Sequence, residues 1–124
     1  MYDPNVKLKL ENLPASLRGD REALRLCLEA MDRAMPLREV ILFGSHARGD
    51  SRTDSDVDLC LVADGAGRQL QAAKQYREAI WDVWPRPSFT LVPITPQRLA
   101  EKQKIDDPFF ETVLSEGVAL ASAD

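Results

Sequence analysis

An apolar run, Glu39-Val40-Ile41-Leu42-Phe43, stops abruptly at Gly44-Ser45. After the largely polar stretch His46–Ser55, Asp56-Val57-Asp58 opens a second apolar run, Val57–Val62. Runs of this length, bounded by turn residues and rich in β-branched and aromatic side chains, read as buried strands. A chain with two such strands is committed to a sheet whose faces are covered by helices.

The flanking segments supply those helices. Asp20 is placed to cap a helix over Arg21–Met35, with Leu24, Leu28, Met31 and Met35 on one face, and Pro36 stops it. Gly65 and Gly67 mark a turn before a helix over Arg68–Trp84, whose Ala72, Tyr76, Ala79, Ile80 and Val83 share a face. Pro85 and Pro87 end it ahead of a strand over Phe89–Ile94, where Pro93 implies an edge or a bulge. Thr95-Pro96 and Asp107-Pro108 are two helix starts, each a capping side chain followed by proline at the first helical position. Gly117 closes the last helix, and Val118-Ala119-Leu120 reads as a final short strand. Val6–Leu10 alternates apolar and basic residues, as a half-exposed edge strand does. The expected fold is therefore α/β (α+β), a small mixed sheet of about three to five strands covered by helices.

With 124 residues the chain has room for one domain, 1–124, and enough core to fold without a disulfide or structural metal. Its core is expected over about 36–121, with 1–35 forming an N-terminal strand and helix. Cys27 and Cys60 each sit in an apolar stretch, as buried reduced thiols do, and two distant cysteines with a single histidine make no zinc site. No apolar run is long enough to cross a bilayer, and Met1-Tyr2-Asp3-Pro4 lacks the basic-then-apolar pattern of a secretory signal. A cytoplasmic location with no membrane association is expected. The net charge is -4, with lysines and arginines scattered rather than striped, which argues against general nucleic-acid binding. An acidic protein can still bind one polyphosphate where metal ions sit between carboxylates and phosphates.

Gly44-Ser45 and the aspartate pair offer such a place. Glycine lets an anion approach the backbone, and the free amides after it, with the Ser45 hydroxyl, make a plausible phosphate cradle. Asp56 and Asp58, two residues apart on a strand, point to the same face, and a divalent cation would offset their repulsion. Ligands that are all oxygen favour magnesium or manganese over zinc. Competing motifs fail on inspection. Gly44 to Ser51 has glycine spacing like a P-loop, but Asp50 stands where that motif needs lysine, and no Gly-x-Gly-x-x-Gly is present. Adjacent Ser45 and His46 are no catalytic pair, and His46 reads as a rim residue. Arg48-Gly49-Asp50 has no adhesive meaning in a chain of this kind.

Gly44-Ser45, Ala47-Arg48-Gly49 and Ser55-Asp56-x-Asp58-Leu59 together resemble the signature of minimal nucleotidyltransferases, small relatives of DNA polymerase beta often paired as antitoxins with helical HEPN-domain toxins. The similarity spans roughly 36–121 and implies a polymerase beta-like fold. It implies that Asp56 and Asp58 are catalytic residues holding Mg2+ (or Mn2+), and that Gly44 and Ser45 contact a nucleoside triphosphate. Arg48 would orient the carboxylates, touch phosphate or stabilise the loop. The implied reaction is transfer of a nucleotidyl group, AMP from ATP, to a HEPN-type partner. Active members of that family place a third carboxylate on the strand Phe89–Ile94, facing the pair. Counting back from Thr95-Pro96 puts that position at Thr90, give or take one residue, and none of Ser88, Phe89, Thr90 or Leu91 is acidic. The departure leaves open a member that neutralises its partner by binding alone.

Overall fold

The computed structural model describes residues 1–123. In chain order its elements are β1 (Lys7–Leu8), α1 (Arg21–Ala34), β2 (Glu39–Phe43), α2 (Gly44–Arg48), β3 (Val57–Val62), α3 (Gln69–Ala79), β4 (Phe89–Ile94), α4 (Pro96–Lys104), α5 (Pro108–Glu116) and β5 (Val118–Ser122), with 3-10 turns at Leu10–Asn12 and Ala15–Asp20. The sheet runs β1-β5-β2-β3-β4. All neighbours are antiparallel except β3 and β4, which are parallel, so the sheet is mixed as expected. The C-terminal strand fills the place between β1 and β2, while β4, carrying Pro93, lies on an edge where a missing N–H is tolerated.

Alternation along the strands divides the core between the two faces. Val40 and Leu42 of β2, with Leu59 and Leu61 of β3, pack with Leu24, Leu28, Met31, Tyr76 and Ile80 from the α1/α3 layer. Ile41, Phe43, Cys60 and Val62 face the opposite way, toward Leu99, Phe110 and Val113 of α4 and α5. A slip of one residue would exchange the two sets, so the apolar pattern holds the register. Both cysteines are buried and free.

Three boundaries differ from the sequence expectation. Asp20 makes no capping hydrogen bond: the 3-10 turn Ala15–Asp20 runs directly into α1, leaving Asp20 at φ -101 and ψ 8 rather than in the extended backbone of a cap. The helix expected to reach Trp84 ends at Ala79. Beyond it Trp81 and Val83 bond only three residues back, as the chain tightens ahead of Pro85. The N-terminal strand is confined to Lys7–Leu8, its backbone turning at Leu10. The two proline starts behave as read: Thr95 Oγ1 accepts from the Arg98 amide at 3.1 Å and Asp107 Oδ1 from the Phe110 amide at 3.2 Å. No helix among the described residues is long and apolar enough to cross a membrane.

Candidate nucleotide and metal site

The candidate residues meet where β2 ends and β3 and β4 begin. Phe43 pairs with Asp58, and Asp58 with Thr90, making one row across three strands. Asp58 and Thr90 share the parity of Cys60 and Ile94, so both stand on the α4/α5 face. Asp56 precedes β3 by one residue, and the Thr90 hydroxyl is 3.4 Å from its Oδ2. The position counted back from Thr95-Pro96 is thus the strand partner of Asp58.

Gly44 follows directly, at φ +78, a backbone region that side chains rarely adopt. A Cβ placed there would lie 2.0 Å from Asp58 Oδ2. The glycine was read as room for an anion; part of that room is taken by the Asp58 carboxylate itself. Burial raises the Asp58 pKa, the nearby Thr90 hydroxyl opposes that rise, and the neighbouring Asp56 charge adds to it. These are the conditions under which a carboxylate pair gains from a bound cation.

Among the described residues no group of three or more His, Cys, Asp or Glu is placed to hold a metal. The oxygens that a cation would meet here are those of two carboxylates and a hydroxyl. They suit magnesium, which takes one or two carboxylates and completes its shell with water and substrate phosphate oxygens.

Ser45 is the second residue of α2, a short turn closed by Gly49 in the left-handed region. Arg48 is turned toward carboxylates: its Nε is 3.2 Å from Asp50 and its Nη1 3.5 Å from Glu116 at the end of α5, and these two partners raise its pKa. That geometry ties the loop to α5.

His46 is not a rim residue. It is buried, with Nδ1 2.8 Å from Ser16 Oγ and Nε2 3.3 Å from the Ser55 carbonyl oxygen. A carbonyl only accepts, so Nε2 is the donor in that contact. The ring braces the loop immediately before Asp56 against the turn that leads into α1. Nothing local in the sequence announces this, because Ser16 lies far up the chain. Asp32 was likewise missed: fully buried in α1, it accepts from Tyr2 Oη at 2.6 Å, the Asn5 amide at 2.8 Å and the Leu37 amide at 2.9 Å.

Residues 24–114, most of the chain, match the family described as "Nucleotidyltransferase domain". No curated protein matches the sequence. Among solved structures, the fold is similar to that of a Sulfolobus solfataricus protein described as a candidate nucleotidyltransferase. The TM-score is 0.51 over 69% of this chain and 76% of that chain, at 21% identity, a likeness of fold alone.

Proposed function

The chain belongs to the nucleotidyltransferase domain family, and on that premise we propose that it is a minimal, metal-dependent nucleotidyltransferase of the cytoplasm that passes AMP from ATP to a helical HEPN-type partner protein, as an antitoxin. The observation that carries the reading is the row Phe43–Asp58–Thr90, with Asp56 beside it and Gly44 pressed against the Asp58 carboxylate. A hydroxyl of the acceptor attacks the α-phosphorus, a new P–O bond forms, the bond to pyrophosphate breaks, and the hydroxyl proton passes to water. Asp56 and Asp58 would hold Mg2+ (or Mn2+), which supplies neutralisation of phosphate charge. Gly44 and Ser45 present backbone amide and hydroxyl groups to the triphosphate. The Arg48 charge is felt at Asp58, whose pKa it lowers, and release from Asp50 and Glu116 would free its guanidinium for phosphate.

Thr90 favours a second reading. Its hydroxyl can donate or accept a hydrogen bond but cannot serve as a base near neutral pH. General-base assistance is worth about 10²–10⁴-fold in rate, so this chain would bind Mg2+ and ATP yet transfer slowly, and would neutralise its partner by contact. Transfer of labelled adenylyl to the co-expressed product of the neighbouring gene separates the two. Under the enzyme reading wild type transfers, Asp58→Asn does not, and Thr90→Asp transfers faster. If all three are inert while the complex stays tight, the contact reading stands; absence of both nucleotide binding and a complex defeats both.

A further inference from the structure

The α1/α3 layer carries a concavity that the proposed chemistry does not use. A groove of about 860 Å³ runs between α1 and the segment from the end of α3 to Pro87. Its lining includes Thr53 and Pro87, each three residues ahead of a member of the site, Asp56 and Thr90 respectively. Three residues of extended chain span at most about 11 Å, so the groove opens at the end of the sheet where the site lies, although it occupies the opposite layer.

Two properties of its lining define what it can hold. The first is apolar: Trp84 is 82% exposed and Leu26 42% exposed, large apolar surfaces standing free in solvent. Pro85 and Pro87 restrict the backbone after Trp84, so less main-chain freedom is lost when a partner covers this segment. Exposed tryptophans of this kind anchor protein interfaces.

The second is charge. Four carboxylates line the groove, Asp20, Glu22, Glu29 and Asp82, against the guanidiniums of Arg33 and Arg86. Both guanidiniums are engaged within the chain: Arg33 lies 4.7 Å over the Tyr2 ring, and Arg86 donates to the Pro87 carbonyl at 3.1 Å and lies 5.8 Å over Phe89. Glu22 and Glu29 share Arg25. Among the described residues the carboxylates of Asp20 and Asp82 take part in no side-chain hydrogen bond or ion pair, so the groove combines uncompensated acidic charge with apolar surface. A phosphate backbone would be repelled there, and a segment bearing lysine or arginine around a bulky apolar residue would be complementary.

We infer that this groove docks a basic, apolar-anchored segment of the acceptor protein and so delivers the acceptor to the end of the sheet that carries Asp56 and Asp58. The inference rests on the transferase reading above and adds where the partner is gripped and what chemistry it presents.

The chain has two tryptophans, Trp81 and Trp84, so Trp81→Phe isolates the emission of Trp84. The probes are a short synthetic peptide of lysine, leucine and tyrosine, its glutamate-for-lysine counterpart, and oligouridine RNA. The lysine peptide should shift Trp84 emission to the blue, and the other two should not. Asp20→Asn combined with Asp82→Asn should weaken the lysine peptide about tenfold, as should Trp84→Ala read by peptide anisotropy, with thermal melting unchanged.

Equal response to the glutamate peptide or to RNA overturns the inference. So does sedimentation as a dimer that already buries Trp84, which would make the groove an interface between two copies of this chain. Magnesium-dependent ATP binding, measured in the same samples, keeps the two readings apart. Intact ATP binding with no peptide response defeats the groove alone, whereas lost ATP binding in wild type defeats the transferase reading. Groove variants should leave ATP binding as it is.

Discussion

Gly44→Ala tests whether the geometry at the end of β2 sets the candidate site. The residue sits at φ +78, and holding an L side chain in that region takes about 1–2 kcal/mol. The new methyl would lie 2.0 Å from Asp58 Oδ2, so the carboxylate oxygen must retreat by about 1.4 Å to reach the 3.4 Å of ordinary contact. Rotation moves that oxygen, but Asp58 Cγ at 3.0 Å and Cβ at 3.3 Å must also give by a few tenths of an ångström, so the stability loss should be the backbone figure or somewhat more. For a chain of this size that is a fall in melting temperature of roughly 4–8 °C. Metal geometry is less forgiving, because magnesium holds its oxygens at about 2.0–2.1 Å in a near-octahedral shell. Magnesium-dependent ATP binding, followed by calorimetry, should therefore weaken at least about tenfold while the fold survives. Asp58→Ala completes the cycle. In that background the alanine at position 44 should add only the backbone loss, since the clashing oxygen is gone. A Gly44→Ala protein that melts within about 0.5 kcal/mol of wild type and binds ATP unchanged would refute both the strain and the contact on which the site is built.

Two further outcomes follow from the buried polar and thiol groups. Asp32→Ala strands the Tyr2 hydroxyl and the amides of Asn5 and Leu37. Only the Leu37 amide is then buried and unpaired, at about 1–3 kcal/mol, because water can reach the half-buried Tyr2 hydroxyl and the exposed Asn5 amide. Chemical denaturation should show a loss of roughly 2–4 kcal/mol, and a loss under about 1 kcal/mol would show that these bonds do not join the N-terminal segment to the core. Burial pushes the Cys27 thiol up to about 11 and Cys60 to about 12, from 9.0 for a free thiol. A raised folded pKa contributes stability that is present below the free thiol's pKa and is lost as pH rises from about 9 toward 12, so the melting temperature should fall through that window. At pH 8 alkylation in native buffer should run at least about 100-fold slower than in denaturant, and comparable rates would show that the thiols are not buried.

Much of the fold was legible because the decisive signals are local. Glu39–Phe43 and Val57–Val62 announce themselves by apolar length, and the structure places strands at those bounds. Thr95-Pro96 and Asp107-Pro108 combine a capping side chain with a residue that lacks an N–H, and each starts a helix where expected. The errors arose where neighbours outweighed pattern. The face Ala72, Tyr76, Ala79, Ile80, Val83 is helical in spacing to its end, yet Pro85 unwinds the final turn. Asp20 has the side chain of a cap, but a 3-10 turn runs straight through it into α1 and denies it the extended backbone that a cap takes.

The site divides in the same way, and the division explains why one position could be counted while its surroundings could not. A proline start fixes where β4 ends, and a strand's period fixes which residues share a face, so counting back from Thr95-Pro96 reaches Thr90. Only the parallel register then makes Thr90 the partner of Asp58 rather than of Val57. Gly44 against Asp58, His46 between Ser16 and the Ser55 carbonyl, and Arg48 held to Glu116 all join residues that no period connects. These contacts hold the loop between Gly44 and Asp56, and so fix where the two carboxylates stand. A motif specifies which groups the site needs; the distance between them is set by residues outside it. For that reason Ser16→Ala, which touches neither carboxylate, should loosen the loop before Asp56, with ATP affinity falling more than melting temperature. Equal losses in both would mean that the His46 brace serves the fold and not the site.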